Sequence, residues 1–148
     1  MRPRSIEMFE KAYLGSIAVS LMAILIGWSR LSADYAVRMA NMSESAREAI
    51  LMVSAGLVIA VSLLLWFLVA RKASNIAKWL LVLLTALGTF SILNSVFEAA
   101  LPKDLYFAVN ITSTLLGLYS VWLLFRPDAV AWLDSKGADG PGDPATFE

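Results

Sequence analysis

The residues best suited to chemistry lie around Pro102. Ser91, Asn94 and Glu98 recur at spacings of three and four, which places them on one face of a helix. Beyond the proline, Asn110, Ser113, Thr114 and Gly117 share a face in the same way. If the chain turns near Pro102, residues equidistant from it sit at similar depth. Asn94 then stands opposite Asn110, Ser91 opposite Ser113, and Glu98 near Tyr106. Carboxamides, hydroxyls and a carboxylate gathered in an apolar setting suit an ion or small-ligand path, so Glu98, Asn94, Asn110, Thr114 and Ser91 are expected to line one. The plainer reading is packing. Ser, Thr and Asn bond across neighbouring helices for about 0.6 kcal/mol each, and Glu98 has Lys103 close by in sequence to pair with. Packing is the preferred reading of this seam.

Other chemistry has little to stand on. The chain has no histidine and no cysteine, which removes thiolate nucleophiles, disulfides, imidazole bases, His-ligated haem and typical zinc sites together. No phosphate loop, nucleophile elbow or paired intramembrane carboxylates are present. The expectation is a non-catalytic protein with no cofactor and no metal. A net charge of zero and the lack of a dense basic cluster also argue against nucleic acid as a partner.

The elements that must hold this seam are legible from charge. Residues 12–29, 49–70, 79–97 and 105–125 carry no charged side chain, and the chain as a whole is 59% hydrophobic with 16% charged residues. A helix needs about 20 mostly apolar residues to cross the hydrocarbon core. The pattern predicts an all-α, four-transmembrane-helix bundle with spans at about 12–28, 49–70, 76–97 and 105–125, the lipid bilayer being its surroundings. Residues 1–136 form a single integral membrane domain, and the Gly-, Pro- and Asp-rich residues 137–148 a flexible polar tail. The first apolar stretch is flanked by Glu7 and Glu10 as well as by basic residues and is too long for a signal-peptide core, so it reads as a retained span.

Smaller elements follow from local signals. Ile6, Phe9 and Tyr13 at helical spacing suggest an interfacial helix leading into the first span. Leu31, Tyr35, Met39 and Met42 suggest a helix lying on the bilayer surface. Ser45 with Glu48 resembles a capping box opening the second span. Residues 71–75 allow only a tight turn, making spans two and three antiparallel neighbours. Pro127 and Asp128 suit the start of a short interfacial helix running to Ser135, resting on the membrane through Val130, Trp132 and Leu133. Small residues at spacings of four (Ala12, Ser16 and Ser20; Ala23 and Gly27; Gly56 and Ala60) mark faces where helices approach closely, within the bundle or toward a partner.

Orientation comes from lysine and arginine. Arg2, Arg4, Lys11, Arg71, Lys72, Lys78, Arg126 and Lys136 fall on one side of the predicted membrane, and Arg30, Arg38, Arg47 and Lys103 on the other. The excess predicts that both termini are cytoplasmic. Trp66, Trp79, Trp122 and Trp132 then sit at the inner interface, Trp28 and Tyr106 at the outer. Arg71, Lys72 and Lys78 are candidates for binding anionic lipid headgroups, although topology alone accounts for them.

Three segments carry a resemblance: Arg2-Pro-Arg-Ser-Ile-Glu-Met-Phe-Glu-Lys-Ala-Tyr-Leu, Arg71-Lys-Ala-Ser-Asn-Ile-Ala-Lys-Trp-Leu and Leu124-Phe-Arg-Pro-Asp-Ala-Val-Ala-Trp-Leu. Together they resemble small, uncharacterised four-helix inner-membrane proteins of proteobacteria. The resemblance implies the inner (cytoplasmic) membrane of a bacterium and no particular activity. The chain departs from other four-span families: the first span lacks the embedded Glu of small multidrug exporters, the cysteines of quinone-linked disulfide proteins are absent, and so are the histidines of haem-binding four-helix cytochromes. The expected function is an accessory or scaffold subunit that associates with itself or with a larger membrane complex. The alternative is a small transporter or channel using the polar seam.

Overall fold

The computed structural model describes residues 2–97 and 104–136, and among these it is entirely helical apart from caps and turns. Six helices follow in order: α1 (Arg4–Ile26), α2 (Trp28–Arg38), α3 (Glu44–Lys72), α4 (Asn75–Phe97), α5 (Leu105–Leu123) and α6 (Pro127–Asp134). Arg4–Ile26, Glu44–Lys72, Asn75–Asn94 and Leu105–Leu123 are long and apolar enough to cross a membrane. The all-α bundle with four membrane-span-like helices and a short helix after the fourth is therefore the fold. Pro102, Glu98, Lys103 and the predicted tail at 137–148 lie outside the described residues.

The helix ends show where local signals were read well and where they were not. The expected interfacial segment and first span are one continuous helix, α1. It stops at Gly27 (φ −90°, ψ 6°), which separates it from α2. The surface helix expected to reach Met42 ends at Arg38. The hydroxyl oxygen of Ser43, not Ser45, caps α3 by accepting a bond from the Ala46 N–H, so Ser45 falls inside the first turn and no capping box forms with Glu48. The two serines are two residues apart, and the extended backbone of Ser43 is the one that suits a cap.

The α3–α4 turn is tight, as the sequence indicated. Ala73 adopts a left-handed conformation (φ 47°), with its N–H and that of Ser74 both returning to the Leu68 carbonyl. Glycine is the usual residue here. Ala73 is buried in the core, so its methyl group returns packing that glycine would forgo. The Ser74 hydroxyl oxygen then accepts from Ala77 N–H and starts α4.

Helix α1 packs chiefly along α5, while α3 and α4 flank that pair. The buried core is not spread evenly along the bundle. Ile6, Phe9, Tyr13, Leu65, Val69, Ala73, Ala77, Leu81, Leu123, Leu124, Ala129, Trp132 and Leu133 form one cluster, gathered where the start of α1, the α3–α4 turn and α6 meet. This end is called the terminal end below; the opposite end, carrying α2 and the start of α5, is the loop end. Trp132 and Leu133, expected to rest on the bilayer, instead turn inward and close the terminal end. The apolar face of α6 is short, and Ile6 and Phe9 give it a drier partner than the interface does.

Candidate functional site

The middle of the bundle holds a cavity of about 500 Å³, within the usual size range for small-molecule sites. All four long helices line it: Ser16 and Ser20 from α1, Val58 and Ser62 from α3, Thr85, Gly88 and Thr89 from α4, and Asn110, Ser113 and Thr114 from α5. No charged side chain is among its lining residues within the described part of the chain. Its walls are aliphatic chains interrupted by hydroxyls, a Tyr13 ring and one carboxamide.

The hydroxyls are largely spent on the protein itself. Thr89 donates to the Thr85 carbonyl, Thr114 to the Asn110 carbonyl and Ser62 to the Val58 carbonyl, each at 2.8–2.9 Å. These are back-bonds along one helix, typical where water is scarce. The Asn110 amide donates to the Tyr106 carbonyl at 2.9 Å. Only one of its two N–H groups is used in that bond, so this carboxamide is the wall's most versatile polar group.

The predicted seam is rearranged. Asn110 and Thr114 line the cavity, with Ser113 beside them. Ser113 does not face Ser91. It donates to the Ser16 carbonyl at 3.1 Å and lies 2.6 Å from the Ser20 hydroxyl, which must then be the donor of that pair. Asn94 and Ser91 are exposed and are not part of the cavity wall. The pairings Asn94–Asn110 and Ser91–Ser113 are therefore not formed, because α5 turns its polar face toward α1 as well as α4. Glu98 lies outside the described residues. Thr85, Gly88 and Thr89 were not singled out in the sequence, although Leu81, Thr85, Thr89 and Ile92 repeat at helical spacing.

The loop end of the α1–α5 contact is fixed by two devices. A Cβ added to Gly27 would lie 2.2 Å from the Tyr106 ring, so the aromatic ring occupies the space that any other residue would need. Asp104 caps α5 by accepting from the Phe107 N–H at 3.1 Å and also pairs with Arg30, whose guanidinium lies 5.5 Å from the Tyr106 ring centroid. The Phe107 N–H foremost, with Arg30, holds the Asp104 carboxyl below its ordinary range.

The terminal end is tied by a polar network over the core. Ser5 donates twice to Asp128, from its backbone N–H to Oδ2 at 3.2 Å and from its hydroxyl to Oδ1 at 2.8 Å. Burial pushes the Asp128 carboxyl up, but the two Ser5 donors, together with the backbone N–H groups of Asp128 and Ala129, hold it below its ordinary value. Glu10 accepts from Arg2 and Arg71 at 3.0 Å each, and Asn75 donates to Asp134 at 3.1 Å. The three segments that carried the resemblance thus meet at one end. Of the three basic residues named as headgroup candidates, Arg71 is committed to Glu10 and to the Trp66 ring, Lys72 is exposed, and Lys78 is buried.

Comparison with protein-family models, with curated proteins and with solved structures found no match. The class is set by the helices alone: a four-helix chain compatible with an integral, multi-pass membrane protein.

Proposed function

We propose that the protein is a non-catalytic integral membrane subunit that works by association, with itself or within a larger membrane complex. The body of α4 carries this reading. Ala77, Lys78 and Leu81 are buried at the terminal end, and no described side chain further along α4 is. Thr85, Gly88 and Thr89, residues of the kind that membrane helices use for close approach, line a cavity, and of the three Thr85 also lies against Gly117 of α5. A Cβ on Gly88 would meet nothing within 4 Å. A transmembrane helix from a partner, lying beside α4 across the open side of the cavity, would cover that space.

The excess of basic residues at the terminal end supports a cytoplasmic location for both termini, and the resemblance supports the inner membrane of a bacterium. Gly88→Leu fills open space and should leave the single chain folded while reducing the crosslinked or native-mass oligomer several-fold. Gly56 also has open space around it but is not in the cavity wall, so Gly56→Leu should leave association intact. A protein that stays monomeric, with no co-purifying partner in mild detergent, would end this reading.

The second reading is transport or binding of a small neutral molecule, favoured by the Asn110 carboxamide in the cavity wall. Ions fit less well, since among the described residues no charge lines the space to offset dehydration. On this reading Asn110→Leu abolishes ligand-dependent thermal stabilisation or flux, while the oligomer is unchanged.

A further inference from the structure

The cations of the terminal end divide into two sets. Arg2 and Arg71 share the Glu10 carboxylate. Lys78 and Arg126 have no carboxylate partner among the described residues and rest on aromatic rings instead. The Lys78 ammonium lies 5.0 Å from the Phe125 ring centroid and 5.7 Å from that of Trp79. These two rings meet edge to face at 5.8 Å. The Arg126 guanidinium lies 5.7 Å from the Trp122 ring centroid.

Lys78 is only 6% exposed, yet Trp79 and Phe125 are 59% and 44% exposed. The aliphatic stem is therefore sunk into the bundle while the ammonium lies between rings that face outward. Lysine is seldom buried without an anion, because desolvating an ammonium is costly. Ring faces recover about 0.5–2 kcal/mol in such positions but leave the three N–H donors without a strong acceptor. Tryptophan and basic side chains together mark the headgroup level of a bilayer, where the abundant anion is a lipid phosphate.

We propose that Lys78 and Arg126, framed by Trp79, Trp122 and Phe125, bind the phosphate of an anionic phospholipid headgroup. The phosphate oxygens accept from the Lys78 ammonium on the Phe125 ring and from the guanidinium of Arg126, the next residue along the chain, while the exposed rings lie along the glycerol and upper acyl chains. The site departs from the Arg71, Lys72 and Lys78 group, since Arg71 is already engaged by Glu10, which it shares with Arg2. It does not depend on the association reading.

Native mass spectrometry of the full chain, with phosphatidylglycerol or phosphatidylcholine of identical acyl chains, tests it. The wild type should retain the anionic lipid several-fold more than the zwitterionic one. Lys78→Met keeps the buried stem and should remove most of that preference, as should Arg126→Gln, whereas Lys72→Gln should not. A thermal melt of Lys78→Met separates loss of lipid from loss of fold. Should that variant unfold, Arg126→Gln, on an exposed side chain, decides alone. Equal retention of the two lipids by the wild type, or an unchanged preference in Arg126→Gln, overturns the proposal. So does displacement of the lipid by inorganic phosphate at equal concentration, which would identify a free-anion site.

Discussion

The two halves of this bundle are built on different principles. At the terminal end, three segments distant in sequence interlock through aromatic and aliphatic side chains and are laced over by Ser5–Asp128, Glu10–Arg71 and Asn75–Asp134. Farther along, order is pairwise: α1 and α5 stay together through Ser16, Ser20, Ser113, Gly27 and Tyr106, while α4 runs beside a cavity. Where water reaches the helix ends and the α3–α4 turn, burying apolar surface is favourable, and the terminal core gathers at those ends. Lipid supplies no such force, so contacts inside the membrane rest on close packing and hydrogen bonds. A helix without a small-residue match to its neighbour, such as α4, has little reason to close on the rest of its own chain.

The largest effect should come from cutting the terminal core. Phe9 is fully buried and stacks on Tyr13 with ring centroids 5.5 Å apart. Phe9→Ala should cost about 3 kcal/mol in reversible unfolding from mild detergent, from lost transfer energy and the void left behind. Ile92, a cavity-wall residue on α4, gives the counterpart: Ile92→Ala should cost less than about 1 kcal/mol, because it enlarges a space already open. Similar costs at the two sites would erase the distinction between the halves.

Two glycines sharpen it further. Gly27→Ala should destabilise the bundle by about 1–3 kcal/mol through overpacking against the Tyr106 ring. Gly88→Ala, facing open space, should be neutral or stabilising by up to about 1 kcal/mol, since alanine favours helix more than glycine does. Combining Gly27→Ala with Tyr106→Leu should recover part of the loss. If the double variant is no better than Gly27→Ala, the close approach of ring and backbone is not what the glycine serves.

The spans were legible because they depend only on local composition: an apolar run and the charges that bound it. The α3–α4 turn and the Pro127 helix start were legible for the same reason. Matching residues by distance from Pro102 gave depth but not azimuth. Depth alone leaves Ser113 free to face α4 or α1, and the small residues Ser16 and Ser20 decided for α1. The same small-residue spacing was visible in the sequence, but nothing local says which helix answers it. Arg30–Asp104 and Ser5–Asp128 join residues far apart along the chain, and no short-range pattern marks either. Lys78 stood in the sequence as one basic residue among several; only the packing of α4 against α5 set its stem apart from that of Lys72.

The smallest effect is also the most specific to the terminal end. Burial raises the Asp128 carboxyl, but two bonds from Ser5 and the backbone N–H groups of Asp128 and Ala129 bring it below its ordinary value in the folded chain. A carboxylate lowered on folding stabilises the native state above its unfolded pKa of about 3.9, and that contribution is lost as pH falls through the folded value. The exposed position of Asp128 keeps the bond's contribution under about 1 kcal/mol. Between pH 7 and pH 5 the wild type should therefore show a flat contribution from this bond, and below pH 4 a progressive loss. Ser5→Ala removes the hydroxyl bond but keeps the backbone one, so it should lower stability at pH 7 and flatten the acid limb in part. Asp128→Asn cannot ionise and should remove the whole Asp128 share of that limb, leaving the share of Asp104. The loop end supplies the control. Arg30→Gln leaves the Phe107 N–H, the larger cause at Asp104, in place, so its acid limb should keep most of the wild-type slope. An acid limb that is the same in the wild type, Ser5→Ala and Asp128→Asn would mean that α6 is held to α1 by its apolar face alone, and that the polar lacing of the terminal end contributes nothing measurable.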